Sequence, residues 1–148
     1  MYSDKPLTYM LGQTMKLVKY KLMAKFKEND LDLSMEHFTI LVFINEKDLL
    51  TQQDLANHFM RDKSIVLRQV NSLIDMGFVV RSTDEDDKRK KNLILTDKGN
   101  KLVQFSKELS RRVSEELLDG ISEEELKHFE HVISKIQQNT GFKECLSC

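Results

Sequence analysis

The stretch "DEDDKRKKNLILTDKG", residues 84–99, turns from four acidic residues to four basic ones and then becomes apolar. Its apolar part, Leu93–Leu95, and the earlier run Phe78–Arg81 both have the composition of β-strands, so the charged residues between them predict the loop of a hairpin. Thr96 then stands where a helix N-cap belongs. The sequence therefore predicts a β-hairpin with cations at its tip, followed by a helix.

The residues before this hairpin predict two helices joined by a tight turn. Thr51–Asp54, "TQQD", resembles a capping box and opens a short helix. Asp62 can cap a second helix, which has apolar residues at helical spacing and ends near Met76, with Gly77 at the C-cap position. A short helix, a turn, an amphipathic helix and a hairpin together form a winged helix-turn-helix.

Further helices are predicted on both sides of this segment. Residues 7–29 have an amphipathic pattern, Ser34 suits the N-cap of another helix, and Ser122–Glu125 forms a capping box for the last one. The expected fold is mainly α with a small β-hairpin wing: a winged helix-turn-helix plus N- and C-terminal dimerisation helices. Residues 34–96 would be the DNA-binding region, and residues 1–33 and 97–148 the dimerisation region, within one continuous domain.

The composition and motifs of the chain argue against a membrane protein, a secreted protein and an enzyme. The 148 residues are 40% hydrophobic and 32% charged, with a net charge of −1. No apolar run reaches the ~18 residues of a membrane span, and the first residues do not resemble a signal peptide, which predicts a cytoplasmic protein without a membrane partner. A glycine-rich phosphate loop, a nucleophile elbow and a run of metal ligands are all missing, so neither an enzyme, a cofactor nor a metal is expected.

Cations concentrate locally despite the negative total. Residues 61–91 hold eight basic and six acidic side chains. In a helix-turn-helix the second helix, here residues 62–76, enters the major groove of DNA. The candidate contacts to DNA from the two helices and their turn are Gln52, Gln53, Arg61, Lys63, Ser64, Arg68 and Gln69. Ile65 and Leu67 either touch thymine methyl groups or pack on the preceding helix.

The wing, residues 82–92, can place a cation in the minor groove, where the negative potential attracts arginine. The candidates are Lys88, Arg89 and Lys90. Asp87 or a neighbouring acid can pair with Arg81 or Arg89 and fix the shape of the wing. The alternative interpretation is that these charges are only a solvated hairpin loop.

Several short motifs follow one another along the chain. They are Leu55-Ala56, Asp62-Lys63-Ser64, Gly77 before Phe78-Val79-Val80-Arg81, Asp87-Lys88-Arg89, and Leu95-Thr96-Asp97-Lys98-Gly99. In this order they resemble the MarR family of bacterial transcription regulators. The resemblance implies that Arg89 is the minor-groove arginine, that Asp87 and Arg81 orient it, and that Ser64 and Arg68 face the DNA. It also implies a homodimer that represses transcription from a pseudo-palindromic operator, with half-sites about 10 bp apart. A monomer that uses its terminal helices to complete its own core is the alternative.

The resemblance further implies a small-molecule effector. Candidate lining residues lie on the first two helices, namely Met10, Met15, Tyr20, His37 and Phe38, with Met15, His37 and Phe38 as the leading candidates. The favoured alternative for each of them is an ordinary core or surface position. Cys145 and Cys148 form a Cys-x-x-Cys pair that, with His128 and His131, has the donors for a redox or zinc site, but an unstructured tail is the favoured interpretation.

A winged helix that binds another protein is the alternative function. Such a domain tends to lose the cations of the second helix and wing, whereas this chain keeps them. Salt separates the two hypotheses, because the affinity for DNA falls steeply with salt concentration.

Overall fold

A computed structural model describes residues 4–141 of the chain. Its elements, in chain order, are α1 (Leu7–Glu28), α2 (Met35–Glu46), α3 (Gln52–His58), α4 (Lys63–Asp75), β1 (Val79–Thr83), β2 (Lys91–Leu95), α5 (Asp97–Leu117) and α6 (Glu123–Asn139). The predicted fold class, mainly helical with one small hairpin in a winged helix-turn-helix, is confirmed.

The chain divides into two compact units, Met1–Ser114 and Glu115–Cys148. The first unit holds the hydrophobic core, to which five helices contribute. Its largest fully buried side chains include Phe26 of α1, Leu41 of α2, Leu55 of α3, Leu73 of α4 and Leu109 of α5. Burial of each such side chain contributes about 1.5–3 kcal/mol. These contacts fix the short helix-turn-helix on a helical base.

Capping residues define the helix starts as the sequence predicts. The Ser34 hydroxyl accepts a hydrogen bond from the His37 backbone N–H at 3.1 Å, and Thr51 and Ser122 each form a complete capping box. Asp62 is the N-cap residue of α4, but its side chain makes no capping hydrogen bond. Both helices of the helix-turn-helix therefore begin where their sequence signals stand.

The wing is a two-stranded antiparallel hairpin in which Val79 lies opposite Leu95 and Thr83 lies opposite Lys91. Both strands extend further towards the tip than their apolar residues predict, since polar residues also join the ladder of main-chain hydrogen bonds. The chain before α3 adds to this sheet. The Leu93 N–H donates to the Leu50 carbonyl at 2.7 Å, and Thr51 forms a bridge with Asn92.

The base of the hairpin is closely packed. Gly77 has φ +80°, and the Phe78 N–H donates to the Leu73 carbonyl at 2.9 Å, which ends α4 in a Schellman motif. The Thr96 hydroxyl donates to the Gly77 carbonyl at 2.7 Å and accepts from the Gly99 N–H at 3.0 Å. A Cβ atom on Gly99 would lie only 2.1 Å from the Phe78 carbonyl oxygen, so only glycine fits at this position in the first turn of α5.

Helices outside residues 34–96 leave apolar side chains exposed. The sequence pattern places Phe105 and Leu117 on the inward face of α5, yet they are 44% and 40% exposed in the single chain. In α6, none of the described residues is buried, and Phe129 and Val132 are more than half exposed. The amphipathic stripes of these helices therefore extend beyond what one chain covers.

Candidate nucleic-acid interface

Helix α4 has one buried and one exposed face. Val66, Val70 and Leu73 are buried at a spacing of three and four residues. The opposite face carries Lys63, Ser64 and Arg68, all exposed. This face is the surface that a helix inserted into a DNA groove would present.

A shallow cavity of about 500 Å³ runs along this face. It is lined by Ser64, Leu67, Arg68, Asn71, Ser72, Asp75 and Met76. Leu67 is 43% exposed and Ile65 is 37% exposed, so each side chain keeps part of its apolar surface open to a contact outside the chain. Leu67 therefore offers an apolar contact in the middle of a polar surface, directly beside Arg68.

The remaining predicted contacts of the helix-turn-helix differ in their exposure. Arg61 is exposed in the turn, whereas Gln69 is half-buried. The Gln53 side-chain amide donates to Asn57 Oδ1 at 2.8 Å, within α3 itself. Gln52, the first residue of α3, has its side-chain oxygen occupied by Arg81, whose Nε donates to it at 2.8 Å.

The wing carries its cations outward. Lys88, Arg89 and Lys90 are all exposed at the tip of the hairpin. Lys91 begins β2, and its ammonium donates to the Thr83 hydroxyl at 2.6 Å across the hairpin. Three adjacent cationic side chains therefore extend from the loop on the same hairpin whose base is anchored beside α4.

Asp84, which the sequence analysis did not single out, organises this loop. Its Oδ1 accepts hydrogen bonds from the backbone N–H groups of Asp86 and Asp87, both at 3.0 Å. Its Oδ2 accepts from the buried Asn92 side chain at 2.8 Å. These bonds, led by that from Asn92, lower the pKa of the Asp84 carboxyl. Aspartate often bonds to backbone N–H groups just ahead of it in a turn, so an aspartate at the start of the loop was the sequence signal for this role.

Asp87 acts on the loop through the backbone. Its carboxylate accepts from the Arg89 backbone N–H at 3.0 Å, so its contact with Arg89 is a main-chain one. For Arg81, an ion pair with Asp87 or a neighbouring acid was one of the alternatives that the sequence left open. The Arg81 guanidinium donates instead to Gln52 and, at 2.6 Å, to Asn71. These bonds direct the exposed Arg81 side chain towards α3 and α4.

The predicted effector residues lie in different surroundings. Met15 is 62% exposed on α1, as is Tyr20 at 75%, and Met10 is 39% exposed. Phe38 is half-buried, with its ring edge-on to Phe26 at 5.3 Å between centroids. His37 is half-buried, and its burial lowers its pKa.

The two cysteines considered for a redox or zinc site are among the last four residues of the sequence. Cys145 and Cys148 lie outside the described residues. Among residues 4–141, no group of three or more metal-binding side chains comes together, and no helix has the length and apolarity to cross a bilayer.

Comparison with known sequences supports the class that the fold defines. YybA of Bacillus subtilis (strain 168), described as an uncharacterized HTH-type transcriptional regulator, is 28% identical over 110 residues, or 74% of this chain and 73% of YybA. The HTH-type transcriptional regulator BilQ of Clostridium symbiosum (strain WAL-14163) is 27% identical over 123 residues, covering 83% of this chain and 84% of BilQ.

Solved structures share the fold. The S. aureus MepR-DNA complex aligns with a TM-score of 0.80 at 23% identity, covering 94% of this chain and 99% of that one. A MarR family protein from Bacillus stearothermophilus aligns with a TM-score of 0.76 at 22% identity, covering 92% and 94%.

The fold and the exposed face of α4 beside the wing define a winged helix-turn-helix regulator. The sequence model of the MarR family matches residues 33–91, from the residues before α2 to the first residue of β2. The DNA-binding segment of the chain is therefore similar to the MarR family. The sequence relatives are named as transcriptional regulators and not as enzymes, and they do not favour a module that binds only protein.

Proposed function

We propose that this protein is a dimeric repressor that binds a specific operator in double-stranded DNA. The observation that carries this proposal is the exposed face of α4, with Lys63, Ser64 and Arg68, on the same compact unit as a rigidly based hairpin with a cationic tip. Repression is the simpler mode of action, because a dimer on a promoter blocks polymerase without any activating surface.

Recognition helix α4 would enter the major groove. The exposed Arg68 can donate two hydrogen bonds to one guanine, a contact that discriminates between bases by about 1–3 kcal/mol. Ser64 can bond to several bases, while Lys63 and Arg61 would neutralise phosphates. Gln69 and Gln53 are less favourably placed, since Gln69 is half-buried and Gln53 already bonds to Asn57.

The tip of the wing would follow the sugar–phosphate backbone into the adjacent minor groove. Arg89 is the candidate for insertion, flanked by Lys88 and Lys90 at the phosphates. The hydrogen bond from the Arg89 N–H to Asp87 and the turn organised by Asp84 support this role, because they hold the loop in one conformation before binding. A preformed loop avoids part of the entropic cost of ordering on DNA.

Residues 1–33 and 97–148 would form the dimer, and residues 34–96 the DNA-binding region. The exposed apolar side chains of α5 and α6 support this division, because a second copy would remove them from water. Two-fold symmetry then predicts a pseudo-palindromic operator with half-sites about 10 bp, one DNA turn, apart.

A small-molecule effector that releases the DNA belongs to this proposal, with Met15, His37 and Phe38 as candidate contacts. Such a molecule must bind more tightly to one arrangement of the two recognition helices than to the other. A protein with this function would work in the cytoplasm, where its operator lies.

Selection from random DNA tests the function. The purified protein is mixed with random duplexes, and the bound fraction is recovered and sequenced, while its oligomeric state is measured by light scattering. We expect an inverted repeat and a dimer, with an affinity whose logarithm falls linearly with the logarithm of salt concentration. A dimer that enriches no sequence, or an enrichment without two-fold symmetry, would contradict the proposal.

A further inference from the structure

Arg81 is an exposed residue of β1, and its side chain is bonded to the helices beside the strand. Alternate residues of a strand share a face, so Arg81 lies on the same face of β1 as Val79, which is completely buried. Its partner across the hairpin is the buried Leu93. The position therefore aims a long cationic side chain at the helices packed on the sheet.

The guanidinium connects three elements of the DNA-binding region. Its Nε donates to Gln52 Oε1 at 2.8 Å, and its Nη2 donates to the same oxygen and, at 2.6 Å, to Asn71 Oδ1. Gln52 is the first residue of α3, and Asn71 lies on α4 beside the cavity of its exposed face. One planar group therefore ties the short helix, the recognition helix and the first wing strand together.

The identity of the two acceptors determines what this arrangement can do. Both are neutral amides, and three N–H groups of the five on the guanidinium are engaged with them. A guanidinium holds its donors in a rigid plane, so it sets an angle between the groups that it joins, which a lysine ammonium cannot do.

We propose that Arg81 is a positioning residue that fixes recognition helix α4 relative to the wing, so that the two can occupy adjacent grooves of one duplex. This inference rests on the proposed function. Arg81 would then raise the affinity for the operator over that for other DNA. Only on the operator do α4 and Arg89, both correctly placed, make their specific contacts. Non-specific binding depends on the number of phosphates neutralised and is insensitive to this placement.

The rival role for Arg81 is a direct contact with a phosphate. The two roles differ in measurable ways. A lost phosphate contact weakens binding to all sequences about equally and lowers the slope of log affinity against log salt by about 0.9. A lost positioning contact lowers operator affinity alone and leaves the slope unchanged.

The test uses Arg81→Ala, Arg81→Lys, Asn71→Ala and the double variant Arg81→Ala/Asn71→Ala in the full chain. Fluorescence anisotropy gives affinities for the selected operator and for a scrambled duplex over a range of salt concentrations. We expect Arg81→Ala to lower operator affinity about tenfold or more, with scrambled-duplex affinity changed less than about twofold and an unchanged salt slope. Arg81→Lys should not restore operator binding. The double variant should bind the operator no more weakly than the weaker single variant, because both substitutions break the same connection.

The opposite results overturn the proposal. Equal losses on both duplexes with a lower slope, or recovery with lysine, would make Arg81 a phosphate contact. Multiplying losses in the double variant would mean that Arg81 and Asn71 act independently. Thermal unfolding of each variant without DNA identifies any that fails to fold, in which case Arg81→Lys and Asn71→Ala decide. If the wild-type protein selects no operator, the proposed function is wrong. That result differs from every outcome above, all of which compare variants on a selected operator.

Discussion

At the base of the wing, close packing and hydrogen bonds from the Thr96 N–H and hydroxyl join Gly77, Phe78, Thr96 and Gly99. At its tip, by contrast, Lys88, Arg89 and Lys90 are exposed beside a loop organised by one carboxylate. The base has no space for a Cβ atom at Gly99, whereas the side chains of residues 88–90 at the tip are exposed. The difference separates two tasks on one hairpin. Packing at the base determines stability, and charge at the tip is available for DNA.

The largest effect is expected at the base. Gly99→Ala places a Cβ against the Phe78 carbonyl oxygen, 2.1 Å away in the unrelaxed structure. Because backbone cannot yield as a flexible side chain can, we expect a loss of about 3 kcal/mol or more in the free energy of unfolding. Chemical denaturation measures it. Gly12→Ala is the matched control, since nothing lies within 4 Å of its new Cβ and alanine favours the helix by about 0.5–1 kcal/mol. Equal stability of the Gly99 variant and the wild type would show that the base is not rigid.

At the tip, the expected effect is on affinity alone. Arg89→Ala should weaken operator binding by about tenfold or more and reduce the salt slope, while the free energy of unfolding changes by less than about 0.5 kcal/mol. Titration of labelled operator and denaturation of the free protein measure the two quantities. Lys101→Ala removes the same charge from an exposed position on α5 and should change neither. A loss of stability in the Arg89 variant would contradict the separation of base from tip.

The contrast between these regions also explains what the sequence could and could not predict. Helix starts at Ser34, Thr51, Thr96 and Ser122 were predictable, because a cap depends on residues three positions away. The exposed cations of the wing were also predictable, because they are neighbours in the sequence between two strands. What holds the wing in place was not, since Arg81 bonds to a residue 29 positions earlier.

Two particular residues show this limit. Asp84, Glu85, Asp86 and Asp87 are consecutive acids, and only the fold shows that Asp84 is the one that meets the buried Asn92. Arg81 carried a usable signal, because its alternation with Val79 places it on the same face of the strand. Its acceptors are neutral amides, however, so a search for a carboxylate partner led to Asp87 instead.

A smaller effect is expected where an apolar side chain lies on the proposed reading surface. Leu67 is 43% exposed beside Arg68, which suits contact with the 5-methyl group of thymine. Replacing that thymine by uracil in the operator removes one methyl group, worth about 0.8 kcal/mol or roughly fourfold in affinity. The loss should appear with the wild-type protein and vanish with Leu67→Ala, as anisotropy titrations can measure. Uracil at thymines outside the half-sites is the control. An equal loss with both proteins would exclude Leu67 as the contact.

The smallest effect is expected from titrating Asp84. Its pKa lies below the ordinary value of 3.8, chiefly because the Asn92 amide and the N–H groups of Asp87 and Asp86 favour the carboxylate. A depressed pKa contributes order to the folded loop above the unfolded pKa, and this contribution disappears as the pH falls through the folded pKa. At neutral pH this contribution of the Asp84 carboxylate to the folded loop is therefore complete, under conditions where DNA binding would occur.

Amide chemical shifts of Asp86 and Asp87, followed by NMR from pH 7 to about pH 2.5, report this titration directly because both N–H groups bond to the Asp84 carboxylate. We expect a midpoint below 3.8 that disappears in Asp84→Asn and persists in Glu85→Gln, its exposed neighbour. A midpoint at or above 3.8 would mean that the carboxylate does not hold the loop. The same acid range should leave the contact between Gly99 and Phe78 unchanged, since that contact is steric and involves no titrating group. The tip and the base of the wing should therefore respond differently to acid, with the tip losing its order at a pH where the base is unchanged.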